Sequence, residues 1–215
     1  TLRRWDIESN IFFHQIPTDD CWMRDAGPIF VKNVGAPLGA PLALVKSRFN
    51  KWGEKYPPWE VDDAIPGRIN DSLKLPFFET GIVLEGGSID VNGRGTLLTT
   101  EQCLLNKNRN PHLKKVEIEK ILQDFLGVTK ILWLGEGIVG DDTDGHIDDI
   151  ARFVAPRTVL CAVEEDSADA NYQLLQENLK RLRTMTDQDG KKLEIVTLPM
   201  PGPVFYDKQR LPASY

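Results

Sequence analysis

The sequence predicts an α/β protein assembled from a repeated unit of two strands, a helix and a third strand. Three observations carry that expectation. Asp25, Glu85 and His146 each stand in a cluster of polar and glycine residues, 60 and 61 residues apart. Each cluster opens the same order of signals, namely strand, turn, strand, helix, strand, before the next cluster begins. Residue identity between the blocks is low, so the period marks a supersecondary unit used at least three times, each sending one loop toward a shared axis.

Taken in order, Asn10 to Pro17 reads as a strand, and Ile29 to Lys32 reads as a second strand paired with Ala43 to Phe49. Asn50 to Asp71 carries Trp52, Tyr56, Trp59 and several Pro and Gly residues; a loop this long with aromatic content is expected to wall or cover a site. Between Gly81 and Thr100 two alternating runs flank Asn92-Gly93, a strong hairpin signal. Ile118, Ile121, Leu122 and Phe125 fall at helical spacing, and Gly127 sits where a C-terminal cap belongs. Lys130 to Leu134 is a strand. Alternation from His146 to Val154 predicts another, with His146 and Asp148 on one face and Ile147 on the other. Thr158 to Val163 forms its return, Tyr172, Leu175, Leu179 and Leu182 mark a second amphipathic helix, and Glu194 to Leu198 is a closing strand. The expected units run 10–80, 81–134 and 135–198 within a single partial domain.

Composition narrows the function. With 215 residues, 41% hydrophobic content and a net charge of -6, the chain has enough apolar material for a folded core and a charge unsuited to a phosphate backbone. Nucleic acid is excluded as a partner on that ground. No apolar run reaches the length of a spanning helix and no charged-then-apolar leader opens the chain, so the expectation is no membrane and a cytoplasmic address. Cys21, Cys103 and Cys161 are widely spaced without a Cys-x-x-Cys pair and read as reduced thiols. The chain opens at Thr1 without methionine and stops at Tyr215 without a tail-like composition, so truncation at both ends is expected.

The chemistry concentrates between Gly137 and Val154, where Asp141, Asp142, Asp144, Asp148 and Asp149 surround Gly145 and His146. Such crowding requires a cation to offset the repulsion, whether metal, arginine or substrate. A calcium loop fails, because aligning Gly145 with the obligatory glycine leaves Gly140 and Ala151 at the first and twelfth ligand positions. Zinc lacks a second nearby nitrogen or sulfur ligand, so no metal and no cofactor is expected. Two facing carboxylates match a planar guanidinium, and Asp25 with Asp148 is the expected pair. Trp22, Trp52, Tyr56 and Trp59 are ordinary packing residues taken singly and a slot for an aliphatic cation taken together. Glu85 alone would be a strand-end carboxylate, and His146 alone a core histidine. Their recurrence at one point of each unit favours a site.

The motifs Asp20-Cys-Trp-Met-Arg-Asp-Ala-Gly-Pro28, Leu84-Glu-Gly-Gly-Ser-Ile-Asp90, Cys103-Leu-Leu-Asn-Lys-Asn-Arg-Asn-Pro111 and Gly140-Asp-Asp-Thr-Asp-Gly-His-Ile-Asp148 resemble the agmatine deiminase and bacterial-type peptidylarginine deiminase family, within the guanidino-group-modifying (pentein) superfamily. The resemblance implies a pentein-type α/β propeller of five ββαβ blades, about three of them in this chain. It implies a C-N hydrolase converting agmatine and water to N-carbamoylputrescine and ammonia through a covalent thiouronium, a step toward putrescine and polyamines. By the same resemblance Asp25 and Asp148 hold the guanidinium, His146 is the acid/base, and Glu85 orients His146 and contacts the substrate. Trp22, Trp52, Asp142 and Asp144 complete the expected substrate contacts, and Asp141, Asp142 and Asp144 are expected to attract the distal amine. The family's nucleophilic cysteine lies in a later His-Cys motif, so this piece alone is expected to be inactive. Peptidylarginine deimination is the first alternative; a non-catalytic binding protein or a metal-dependent hydrolase using the Asp-rich loop is the second. Self-association into a homo-oligomer stays open.

Overall fold

Antiparallel strands can be joined by a tight turn, whereas a parallel pair needs a crossover, usually helical. The computed structural model, which describes residues 13–32 and 42–213, applies that rule three times. In the first blade a single turn, α1 (Met23–Ala26), leads into β1 (Ile29–Val31), which pairs antiparallel with β2 (Ala43–Arg48). The chain crosses over through α2 (Lys51–Glu54), α3 (Glu60–Asp63) and α4 (Ile65–Leu73) and returns as β3 (Phe77–Val83), parallel to β2. The second blade repeats the plan with β4 (Asp90–Val91), β5 (Thr96–Thr100), α5 (Glu101–Leu104), α6 (Lys115–Leu126) and β6 (Lys130–Leu134). The third uses β7 (Ala151–Ala155), β8 (Thr158–Val163), α7 (Tyr172–Thr184) and β9 (Glu194–Pro199). Each blade is its own three-stranded sheet, which is the ββαβ arrangement of the expected propeller. A hairpin of β10 (Val204–Tyr206) and β11 (Gln209–Leu211), absent from the sequence reading, follows the third blade.

Local sequence explains the joints. Asn92 turns the chain between β4 and β5 by accepting the amides of Arg94 and Thr96 on its side chain, and Gly93 adopts φ 68°. α6 ends at Gly127, also at φ 68°, whose amide donates to the Gln123 carbonyl. Ile118 and Leu122 bury the inner face of α6 against β5 and β6, and Leu175, Leu179 and Leu182 do the same for α7. The apolar core therefore runs between blades. Leu98, Leu132 and Leu134 of the second blade pack into the same cluster as Val159, Cys161 and α7 of the third.

Three local expectations are corrected. Asn10 to Pro17 was expected as a strand; residues 10–12 lie outside the described region, and 13–17 carry no regular structure. The stretch from Asn50 to Asp71, expected as a loop, holds α2, α3 and most of α4. Pro66 masked α4, yet proline in the first helical turn costs nothing because its missing amide has no partner there anyway. The continuous strand expected from His146 is instead a 3₁₀ turn, Ile147–Asp149, with β7 beginning at Ala151. Among the described residues no helix is long and apolar enough to cross a membrane.

Leu122 is 1% exposed at the contact between α6 and its sheet. Leu122→Ala is expected to remove about 2–5 kcal/mol of stability, seen as a lower urea midpoint with an unchanged slope.

Candidate active site

The polar clusters occupy the same place in each blade, just ahead of its first strand. Asp25 lies in α1 before β1, Glu85 to Ser88 link β3 to β4, and His146 to Asp149 lead into β7. These three links touch one another. Gly86 makes the approach of the first two feasible: a Cβ there would lie 2.0 Å from the Arg24 carbonyl oxygen. Gly87 marks the meeting point. A Cβ on it would lie 2.5 Å from His146 Nδ1, 2.7 Å from Asp25 Oδ1 and 2.9 Å from Asp148 Oδ2.

The carboxylates are held by directed donors. Asp25 Oδ1 accepts the Gly87 amide at 2.8 Å and Oδ2 accepts Trp52 Nε1 at 3.0 Å. The donor Trp52 sits in a left-handed turn, with φ 47° at Lys51, 56° at Trp52 and 65° at Glu54, and the Asn50 side chain caps this turn through the Gly53 amide at 2.9 Å. Backbone held this way stores strain that surrounding contacts must offset. Trp52 also meets Trp22, Phe49 and Tyr56 edge-on at centroid distances of 6.1, 5.6 and 6.0 Å, while Trp22 remains 54% exposed. Asp148 is half-buried, more open than Asp25 and Glu85, with Arg24 Nε at 3.8 Å.

Burial sets the protonation of this cluster. It pushes Asp148 up to about 7, with help from the neighbouring charges of Asp149 and Asp25 and against the pull of Arg24. Glu85, wholly buried, also rises to about 7; Asp25 adds to the rise and Arg109 opposes it. The same burial lowers His146 to about 4, overcoming the charge of Asp25. His146 is therefore neutral near pH 7, and its Nδ1 distances of 3.7 Å to Asp25 and 3.8 Å to Asp148 are close approaches of a neutral ring rather than ion pairs.

Arg109, for which the sequence motif suggested no role, ties two of the links together. Its Nε donates to Glu85 Oε1 at 2.7 Å, Nη1 to Asp144 Oδ2 at 2.7 Å and to Asn108 Oδ1, and Nη2 to the Thr143 carbonyl at 2.8 Å. Lys55 Nζ donates to Asp144 Oδ1 at 2.7 Å and Tyr56 donates to Asp142 Oδ2. Burial works against the Asp144 charge, but donors from Lys55, Asn108 and Arg109 outweigh it and hold that carboxyl below its ordinary range. Asp141 accepts the amides of Thr143 and Gly145 and so shapes the loop. The cations that offset the acidic crowding are thus Lys55 and Arg109. Of the cysteines, Cys21 is exposed, whereas burial raises the Cys103 thiol well above its ordinary value and the Cys161 thiol to about 11. Glu85, Cys103 and His146 bring donor atoms within 4.8 Å of one another.

Separate ββαβ blades that deliver paired carboxylates, a glutamate and an imidazole to one axis define the pentein class of α/β propeller. The profile of the Porphyromonas-type peptidyl-arginine deiminase family matches residues 2–215, and the chain belongs to that family. It is similar to the agmatine deiminase of Ectopseudomonas mendocina (strain ymp), with 43% identity over 202 residues that cover 92% of this chain and 54% of that protein. Among solved structures it is similar to the agmatine deiminase of C. jejuni, determined as a Cys-to-Ser variant with substrate bound (TM-score 0.84, 36% identity, covering 100% of this chain and 61% of that one). The agmatine deiminase of Enterococcus faecalis gives a TM-score of 0.83 at 38% identity, covering 93% and 57%. The chain spans somewhat more than half the length of these relatives.

Gly87 lies outside the left-handed region, but the methyl of Gly87→Ala would have to displace the Asp25 and Asp148 carboxylates and the His146 ring. Methylguanidinium binding, followed by the fluorescence of Trp22 and Trp52, is expected to weaken by roughly tenfold or more, with a lowered thermal midpoint because buried Asp25 and His146 must shift.

Proposed function

We propose that the protein to which these 215 residues belong is an agmatine deiminase, hydrolysing agmatine to N-carbamoylputrescine and ammonia. The observation that carries this reading is the point beside Gly87 where Asp25, Asp148 and His146 converge, the ring Nδ1 lying 3.7 Å and 3.8 Å from the two carboxylates. A planar cation with several donors suits that point, since each carboxylate accepts from one edge and the charge balances both. The names of the relatives, two of them solved structures at 36% and 38% identity, support the same substrate.

In this proposal Asp25 and Asp148 hold the guanidinium and keep its carbon electrophilic. A cysteine thiol outside the present 215 residues passes its proton to neutral His146 as sulfur bonds to that carbon. His146 then gives the proton to the departing amine, ammonia leaves, and a thiouronium remains. Water adds to the thiouronium while His146 takes its proton; the carbon–sulfur bond breaks, and sulfur leaves with a proton as the ureido product forms. Glu85, anchored by Arg109, fixes the imbalance of charge beside His146 and orients the ring. Cys103 and Cys161 are buried and raised, which unsuits them for attack. Trp22 and Trp52 wall the aliphatic chain. Asp142 and Asp144 bias the mouth toward a dication, although Tyr56 and Lys55 already engage them. A cytoplasmic location and a homo-oligomeric assembly are part of the same proposal.

The family description favours a second reading, release of ammonia from peptidyl-arginine. Assaying the full-length enzyme for ureido product with agmatine and with a peptide ending in arginine separates the two. Turnover of the peptide without turnover of agmatine would overturn the preferred substrate.

Asp148 supplies a pH signature. Its raised value means that the substrate-free protein gains stability from the protonated carboxyl at low pH and loses it as pH climbs toward 7. A bound cation needs the ionised form, so kcat/KM is expected to fall about tenfold per pH unit below 7 for each such carboxylate. Asp148→Asn is expected to cut kcat/KM by roughly 10²–10³-fold and to flatten its share of that acid limb, measured as a pH-rate profile.

A further inference from the structure

Beneath the cleft, three donors of different chemistry come together from three distant stretches of sequence. Glu85 precedes β4, Cys103 lies in α5 and His146 precedes β7; they are 0%, 0% and 2% exposed. One carboxylate oxygen, one thiol sulfur and one imidazole nitrogen lie within 4.8 Å of one another. Among the described residues, Glu85 Oε2 and His146 Nε2 are buried side-chain atoms without a hydrogen-bond partner. Leaving such an atom unsatisfied destabilises the fold, and here two of them belong to one cluster. Glu85 Oε1 is engaged by Arg109, and His146 Nδ1 faces Asp25 and Asp148, so Oε2 of the one and Nε2 of the other are the atoms left over.

We propose that Glu85, Cys103 and His146 form an inhibitory site for a soft divalent cation of the Zn²⁺ type. The donor set decides the class of ion: one sulfur, one nitrogen and one oxygen suit Zn²⁺, whereas Ca²⁺ and Mg²⁺ require oxygen ligands throughout. Zinc bonds of about 2.0–2.3 Å require each donor to close in by about half an ångström, a side-chain adjustment. Coordination expels the Cys103 proton to solvent, and the resulting thiolate together with the Glu85 carboxylate balances the ion. Metal on Nε2 confines the ring proton to Nδ1. The nitrogen facing Asp25 and Asp148 then cannot accept a proton, which blocks an acid/base cycle without engaging either of those carboxylates. Binding of the ion stands on the geometry alone; the inhibition rests on the role proposed above for His146.

Co²⁺ serves as the spectroscopic probe in the full-length protein. The wild type is expected to show a thiolate-to-cobalt charge-transfer band that Zn²⁺ abolishes by displacement and that Cys103→Ser lacks. Cys103→Ala, which leaves an apolar filler, gives the same reading where the serine variant destabilises the core. In metal-free buffer both variants are expected to keep wild-type turnover of agmatine, with Zn²⁺ inhibition weakened at least tenfold and reversed in the wild type by chelator. A cobalt band of equal strength in wild type and both variants, or no band in the wild type, overturns the site. If agmatine is not turned over, the spectra still decide metal binding, so failure of the functional reading and failure of the metal site are told apart.

Discussion

Three links that carry acids can converge on one axis only if positive charge is built in among them, and the buried guanidinium of Arg109 is the central piece of it. Its side chain is wholly enclosed, bonding Glu85 ahead of the second blade and both Asp144 and Thr143 ahead of the third. An interior carboxylate without such a partner would take up a proton or force its link apart, because desolvation of a charge outweighs most single contacts. Even with Arg109 in place, Glu85 is raised to about 7. The pairing therefore leaves Glu85 poised between charge states beside His146 rather than locked as an anion.

The propeller supplies the rigidity this arrangement needs. The second and third links are each anchored by the first strand of one blade and by the last strand of the blade before it, and apolar clusters between blades fix their spacing. Two adjacent glycines then do different work. Gly86 allows the second link to lie against the first at a separation no side chain would permit, while Gly87 lets the backbone press directly against Asp25, Asp148 and His146. The left-handed turn at Lys51 to Glu54 adds a donor from a fourth direction, since Trp52 Nε1 fixes Asp25 from the side opposite the Gly87 amide.

Much of the acidic loop is structural. Asp141 shapes the backbone, Asp142 receives Tyr56, and Asp144 is shared by Lys55, Asn108 and Arg109. Charge density in the sequence pointed to this loop as a ligand for cations, and it is one, chiefly for cations of the same chain. The same crowding leaves Asp148, beside Asp149 and Asp25, with a raised pKa that Arg24 at 3.8 Å and Arg152 do not offset. A cation arriving from outside relieves that carboxylate most.

Periodicity was enough to read the three-blade plan, both long helices and the Asn92-Gly93 hairpin, because each rests on spacing along one segment and on side chains that act on their own backbone. Pattern also singled out Asp25, Glu85, His146 and Asp148 from the sixty-residue recurrence of their clusters. The helices between Asn50 and Leu73 were hidden by Pro66, Gly67 and a left-handed turn that no local propensity favours. His146 and Asp148 share the site through a 3₁₀ turn and not through strand alternation. The partners of these groups could not be read from the chain at all. Arg109 to Glu85, Lys55 to Asp144, Trp52 to Asp25 and Cys103 to His146 join residues 24 to 89 positions apart, and such pairings exist only once packed blades bring the links together. The chain alone determined which residues could bear the chemistry; tertiary packing decided which of them are buried, neutral or already paired, since solvation and charge depend on neighbours in space.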